Sequence, residues 1–227
     1  MIGAHAIEVS PVAMLLLDAG LFLLIVGLLW RLELRFSPGR EYALLGIIAT
    51  VGIAGRVLLE PLPNVQPVTI LLFLVGAQLG WRRGVLLAIV ITLVSNLFLG
   101  HGIWTLYQVV GWSLVAWGGW KLSTWLIDAE GVLDTRRLVV IGLLGALAFD
   151  WLVSLSVLHT QNFDYLLRYI LNGLPYDLYH VAGNVFFAAW MAHPAHLALR
   201  RHFVRGHTEN FPTPAPTSVE TRKPLST

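Results

Sequence analysis

Cysteine is absent from this chain. That excludes a disulfide, a thiolate nucleophile and any cysteine-ligated metal. Charge is scarce as well: 12% of the residues are Asp, Glu, Lys or Arg, against about 25% in soluble domains. No Gly-rich loop closing on Lys-Ser/Thr is present, so the chain has no means of its own to hydrolyse ATP. Nor is there a Gly-x-Ser-x-Gly, a His-Glu-x-x-His or a paired-aspartate motif, and this weighs against catalysis. Alternating apolar and polar strands are missing too, which argues against a barrel. The opening MIGAHAIEVSP carries no basic n-region, so no cleavable signal peptide is expected.

What fills the space is apolar. Hydrophobic residues make up 56% of the chain, and its mean hydropathy is +0.71. Several runs approach the roughly 20 residues that cross a bilayer as a helix. Helices satisfy their own backbone there. The expectation is an all-α integral membrane protein with spans near 12–30, 41–59, 67–80, 84–99, 104–126, 137–158 and 176–199. The third is short, and tilted or only partly spanning. Residues 1–40 form an added N-terminal transmembrane helix and its loop, residues 41–204 a six-helix domain, and residues 205–227 a Pro/Thr/Ser-rich tail expected to be disordered.

The net charge of +2 does not point to nucleic acid, because the basic residues fall in short connections. RLELRFSPGR (31–40), WRRG (81–84), DAEGVLDTRR (128–137) and LRRHFVRGH (199–207) hold nearly all the arginines and alternate with arginine-poor connections. By the positive-inside rule this predicts a multi-pass plasma-membrane protein with its C-terminus in the cytoplasm and its N-terminus outside.

The unusual polar residues gather on the arginine-poor side. EPLPNVQP (60–67) carries Asn64 and Gln66, which its prolines should hold in extended backbone. SNLFLGHGIWTLYQ (95–108) carries Ser95, Asn96, His101, an exposed Trp104, Thr105 and Gln108 around a glycine hinge. PYDLYHVAGN (175–184) places Asp177, His180 and Asn184 within about 60° of one another on a helix. These ten residues (Asn64, Gln66, Asn96, His101, Trp104, Thr105, Gln108, Asp177, His180 and Asn184) are the candidate substrate-binding set. Taken singly, each has a plainer role as a belt aromatic or as interhelical glue. Amides, hydroxyls and indoles suit a neutral or mixed polar-aromatic ligand.

Ionisable groups inside spans cost a few kcal/mol unless paired. Arg56 and Glu60, four apart, are spaced to pair, while Asp150 would look to His180 or Arg56 on other helices. HPAH (193–196) sets two histidines three apart with no carboxylate near them. No metal site is expected.

Together, GRVLLEPLPNVQPVTILLFLVGAQLGWRRG, SNLFLGHGIWTLYQVVGW and LPYDLYHVAGNVFF resemble the membrane-embedded substrate-binding S component of energy-coupling factor (ECF) vitamin transporters, over roughly residues 41–200. The resemblance implies a six-helix fold that binds a vitamin near the outer surface and is not itself an enzyme. It also implies a transmembrane coupling subunit as partner, with a cytosolic ATPase pair that hydrolyses the ATP; no cofactor is implied for this chain. Docking in that family uses small residues on the first core helix. Here Gly46, Thr50 and Ala54 recur every four residues, and Ala49, Gly52 and Gly55 every three. The Trp-rich Asn/Gln hinge looks most like the branch associated with cobalamin or its precursors, with His180 placed to approach a cobalt centre. Pantothenate, folate-like and queuosine-precursor ligands stay open. An intramembrane enzyme using Asp150, Asp177 and His180, or a membrane scaffold, are the alternatives.

Overall fold

The computed structural model describes residues 10–31 and 38–208, and these are helical almost throughout. The helices are α1 (Pro11–Trp30), α2 (Pro38–Leu58), α3 (Val68–Leu79), α4 (Trp81–Leu99), α5 (Trp104–Lys121), α6 (Ser123–Leu126), α7 (Thr135–Ser154), α8 (Phe163–Trp190) and α9 (Ala192–Thr208). A 3-10 turn, Leu155–His159, extends α7. Among the described residues there is no strand, only an isolated bridge between Ile127 and Leu133 in the α6–α7 connection. Of the tail expected to be disordered, residues 209–227 lie outside the described part, and α9 runs up to Thr208.

Local signals account for most of the boundaries. Ser10 Oγ caps α1 on Ala13 N, Asp134 caps α7 on Arg137 N and Asn162 caps α8 on Tyr165 N. Gly80 and Gly100, at φ +90° and +104°, end α3 and α4 in backbone that other residues resist.

α3 organises the bundle. It is apolar on every side, and every residue from Pro67 to Gly76 is buried. At 12 residues it is about 18 Å long, well short of a bilayer core of about 30 Å. It packs chiefly on α5 and α4, with α7 and α9 also against it. The α3–α5 approach is backbone-close. A Cβ on Gly76 would sit 1.9 Å from the Ala116 carbonyl oxygen, and one on Gly119 would sit 2.2 Å from that of Phe73. α1 lies outside this core against α4, where Leu21 joins Ile89 and Val109.

Short connections make successive helices antiparallel. The C-terminal ends of α2, α4 and α7 therefore gather with the N-terminal ends of α3 and α5 at one end of the bundle. The opposite end carries Arg82, Arg83, Lys121, Arg136, Arg137 and Arg200, and is called the basic end below. There Glu41 and Arg83, both buried, pair α2 with α4 at 2.5 Å.

Three stretches, Glu41–Leu58, Trp81–Leu99 and Thr135–His159, are long and apolar enough to cross a membrane. Large apolar side chains such as Leu97, Phe98, Leu144 and Trp190 stand on the surface. The expected last span at 176–199 is corrected. Helix α8 starts at Phe163, capped by Asn162, and continues through Pro175 to Trp190; the chain breaks at Met191 and restarts as α9. What reads as a long outer loop is mostly the first half of α8. The expected fifth span likewise divides at Leu122 into α5 and the single turn α6.

Candidate functional site

The hub of the polar end is Arg56, in the last turn of α2 and buried. Its Nε donates to Gln66 Oε1 at 3.1 Å, and its Nη1 to Asn96 Oδ1 at 3.0 Å and to Ser95 Oγ. The guanidinium carbon lies 4.7 Å from the centre of the Trp112 ring, a cation–π arrangement. Ser95 and Asn96 stand on the last turn of α4, and the glycine turn at Gly100 brings the start of α5 back over them. Asn96 Nδ2 then donates to Thr105 Oγ1 at 2.9 Å and to Gln108 Oε1 at 2.8 Å. His101 Nδ1 closes this group on Thr105 Oγ1 at 3.0 Å.

Trp112 carries the cluster into a second group. Its Nε1 donates to Thr69 Oγ1 at 3.4 Å, and Thr69, in the first turn of α3, meets His180 Nε2 at 3.3 Å. His180 Nδ1 lies 3.0 and 2.9 Å from the two Asp150 carboxylate oxygens. One assignment of protons satisfies the whole run: indole N–H to hydroxyl, hydroxyl to imidazole, imidazole N–H to carboxylate. Phe149 stacks on Trp112 at 4.4 Å and presents an edge to His180 at 5.7 Å. Thr69, Ser95, Thr105, Trp112 and His180 are each wholly buried. Beside them Asp177 Oδ2 accepts from Trp151 Nε1 at 3.1 Å.

Most of the expected site residues therefore meet. Gln66, Asn96, His101, Thr105, Gln108 and His180 belong to this connected network, and Asp177 is buried next to it. Asn184, one turn further along α8, uses Nδ2 to hold the Gly142 carbonyl at 3.0 Å, while its buried Oδ1 has no partner among the described residues. Two expectations are corrected. Asn64 is exposed and at φ +58° rather than extended, with only a long contact of 3.5 Å to the Tyr176 carbonyl. Trp104 is half-buried rather than exposed; its ring folds against Gly102, where a Cβ would sit 2.0 Å away.

The Arg56–Glu60 pair is also corrected. Glu60 is exposed, and Arg56 turns inward to better-desolvated partners on α4. Thr69 was not singled out by the sequence; its one signal is a hydroxyl directly after Pro67-Val68 in the first turn of an otherwise apolar helix. The two small-residue rows of α2 face different ways. Ala49 and Gly52 are buried, and a Cβ on Gly52 would meet Ile91 Cδ1 at 2.6 Å, whereas Gly46 and Thr50 are exposed and Ala54 is half-buried.

Chemically, this is a largely buried and nearly saturated network, with Gln66, His101 and Gln108 half-buried at its edge. Among the described residues no three His, Cys, Asp or Glu side chains are grouped to hold a metal. Both ring nitrogens of His180 are engaged, so the imidazole is not the free ligand that an approach to cobalt asks for. No curated protein and no solved structure matches the chain. Residues 37–209 match the model of a family described as of unknown function, DUF6580. That span takes in α2 to α9 and every residue of the polar cluster, and the chain belongs to this family.

Proposed function

We propose that the chain is a multi-pass membrane protein that captures a small molecule at its polar end, in the manner of an ECF-type S component. The basic end then faces the cytoplasm, by the positive-inside rule, and the polar end faces outward. The carrying observation is Arg56, a buried cation at a helix end whose partners are all neutral: Gln66, Ser95, Asn96 and the Trp112 ring. A cation in an apolar bundle is costly, and nothing on its own helix demands it. Neutral amide and hydroxyl partners are ones that a ligand's carbonyl or carboxylate can displace. The substrate is a vitamin or related micronutrient. Cobalamin or a precursor stays in this set on the resemblance of the hinge, bound without His180 as an axial ligand.

The row Gly46, Thr50 and Ala54, exposed at its first two members and half-buried at the third, supports docking of a coupling subunit along α2, with ATP hydrolysed by a separate pair of subunits. The test is mass spectrometry with an absorption spectrum on detergent-purified protein from vitamin-supplied cells, followed by a vitamin panel in thermal shift. A stoichiometric vitamin, lost in Arg56→Met, is the expected result. No vitamin bound by the purified protein and none stabilising it would sink the proposal.

One observation favours a second reading. Thr69, His180 and Asp150 line up as hydroxyl, imidazole and carboxylate, the order of a nucleophile, its base and the group that orients the base. An intramembrane hydrolase would lose turnover and keep binding in Thr69→Val. A capture subunit shows no turnover to lose.

A further inference from the structure

A cavity of about 360 Å³ opens at the basic end, between the last turn of α3, helix α6 and helix α9. Ala77, Gln78, Ser123, Gly131, His196 and Arg200 are among its walls. It shares no residue with the polar cluster, and the proposed capture function does not use it. Its size falls within the range of small-molecule sites.

Two of its wall residues carry buried polar atoms without a hydrogen-bond partner among the described residues, Gln78 Nε2 and His196 Nδ1. His196 is 2% exposed. Its Nε2 lies 3.1 Å from the Gly131 carbonyl, which can only accept. Nε2 therefore carries a proton, and in the neutral ring Nδ1 offers a lone pair. Gln78 Nε2 can only donate. Arg200 is committed to the loop, its Nη1 donating to Gly131 O at 2.9 Å and its Nη2 to Glu130 O at 2.8 Å. Two buried wall atoms, one acceptor and one donor, thus stand without a partner among the described residues, and two of the Arg200 N–H groups are engaged by the loop.

We infer that this cavity binds a small molecule presenting an amide edge, a carbonyl oxygen beside an N–H. The carbonyl takes the Gln78 amide proton and the N–H meets His196 Nδ1. A carboxylate offers acceptors only and meets the imidazole lone pair unfavourably. A hydrocarbon leaves both groups unpaired. Both atoms are shielded from solvent, so a small adjustment of the wall is part of binding, and the terminal torsion of Gln78 is soft enough to supply it.

The probe is 2-pyridone, a lactam with C=O beside N–H, titrated into the detergent-solubilised full chain and read by ligand-observed NMR. N-methyl-2-pyridone, which lacks the donor, is its control. Saturable binding of 2-pyridone is expected, at least tenfold tighter than that of the N-methyl compound. Gln78→Leu should weaken it tenfold or more. Ala77→Phe should do the same by filling the space with both polar groups in place, and it decides the matter if the leucine variant does not fold. Equal affinity for the two pyridones, no saturation by either, or unchanged binding in the folded variants would each overturn the inference.

Discussion

The two ends of the bundle handle buried polarity in opposite ways. At the polar end, the hydrogen-bonded group Arg56, Asn96 and Thr105 and the hydrogen-bonded run Trp112, Thr69, His180 and Asp150 are joined by the cation–π contact of Arg56 with Trp112. The chemistry is rich, and the partners are already present. At the basic end fewer polar groups line an open pocket, and two atoms there, on Gln78 and His196, have no hydrogen-bond partner among the described residues. A cluster of polar residues marks where a protein has invested in a network; an unpaired group beside a cavity marks where something else is expected. A ligand at the first end must displace internal partners, whereas one at the second completes the set.

If that contrast is right, removing a polar group should be expensive at one end and harmless at the other. The largest effect is expected from Arg56→Ala. It strands Gln66 Oε1 and Asn96 Oδ1 and removes the cation from the Trp112 ring. At about 1–3 kcal/mol for each buried group left unsatisfied, the loss should reach roughly 3 kcal/mol. Thermal unfolding of the detergent-solubilised protein measures it. A variant as stable as the parent would mean that the network is ornament, and the contrast between the ends would fall.

Asp150→Ala comes next. It leaves the His180 N–H without an acceptor in a dry site, at about 1–3 kcal/mol. Asp150→Asn keeps a carbonyl oxygen there and should recover at least half of the loss. If the alanine and asparagine variants unfold together, the carboxylate's charge rather than its hydrogen bond holds His180, and the neutral run of donors drawn above is wrong.

How far the sequence foretold this differs between fold and site. Most helix ends from Pro38 to Ser154 are legible because apolar runs there are punctuated by glycine, proline and arginine, the break at Leu122 inside the expected span 104–126 being the exception. The segment 159–177 is not, since Pro175 and Arg168 look like loop residues, while the signal that decides is the Asn162 cap followed by Phe163-Asp164. Polar residues inside apolar runs announced the cluster through their burial cost, and Asp150 meets His180, one of its two expected partners, but the partners of Arg56 were not foreseen. Spacing along one helix pairs Arg56 with Glu60, whereas the desolvated groups Ser95 and Asn96 on α4 win it. The cavity was illegible for the same reason. Gln78 and His196 are far apart in the chain, and HPAH invites a search for a metal, when what matters there is one ring nitrogen left without a partner.

The smallest expected effect is the most telling. Gln78→Leu removes a buried amide whose Nε2 has no hydrogen bond, so no native bond to that nitrogen is lost, and the standing cost of burying an unpaired donor goes with it. Leucine approximates the volume of the side chain it replaces. In the ligand-free protein the melting temperature should stay level or rise, by an amount worth at most about 1 kcal/mol. With saturating 2-pyridone the order should reverse, because only the parent gains the bond and the linked stability. A variant that is less stable in both conditions would show that Gln78 already has a partner in solution, an ordered water, and that the basic end is as saturated as the polar one.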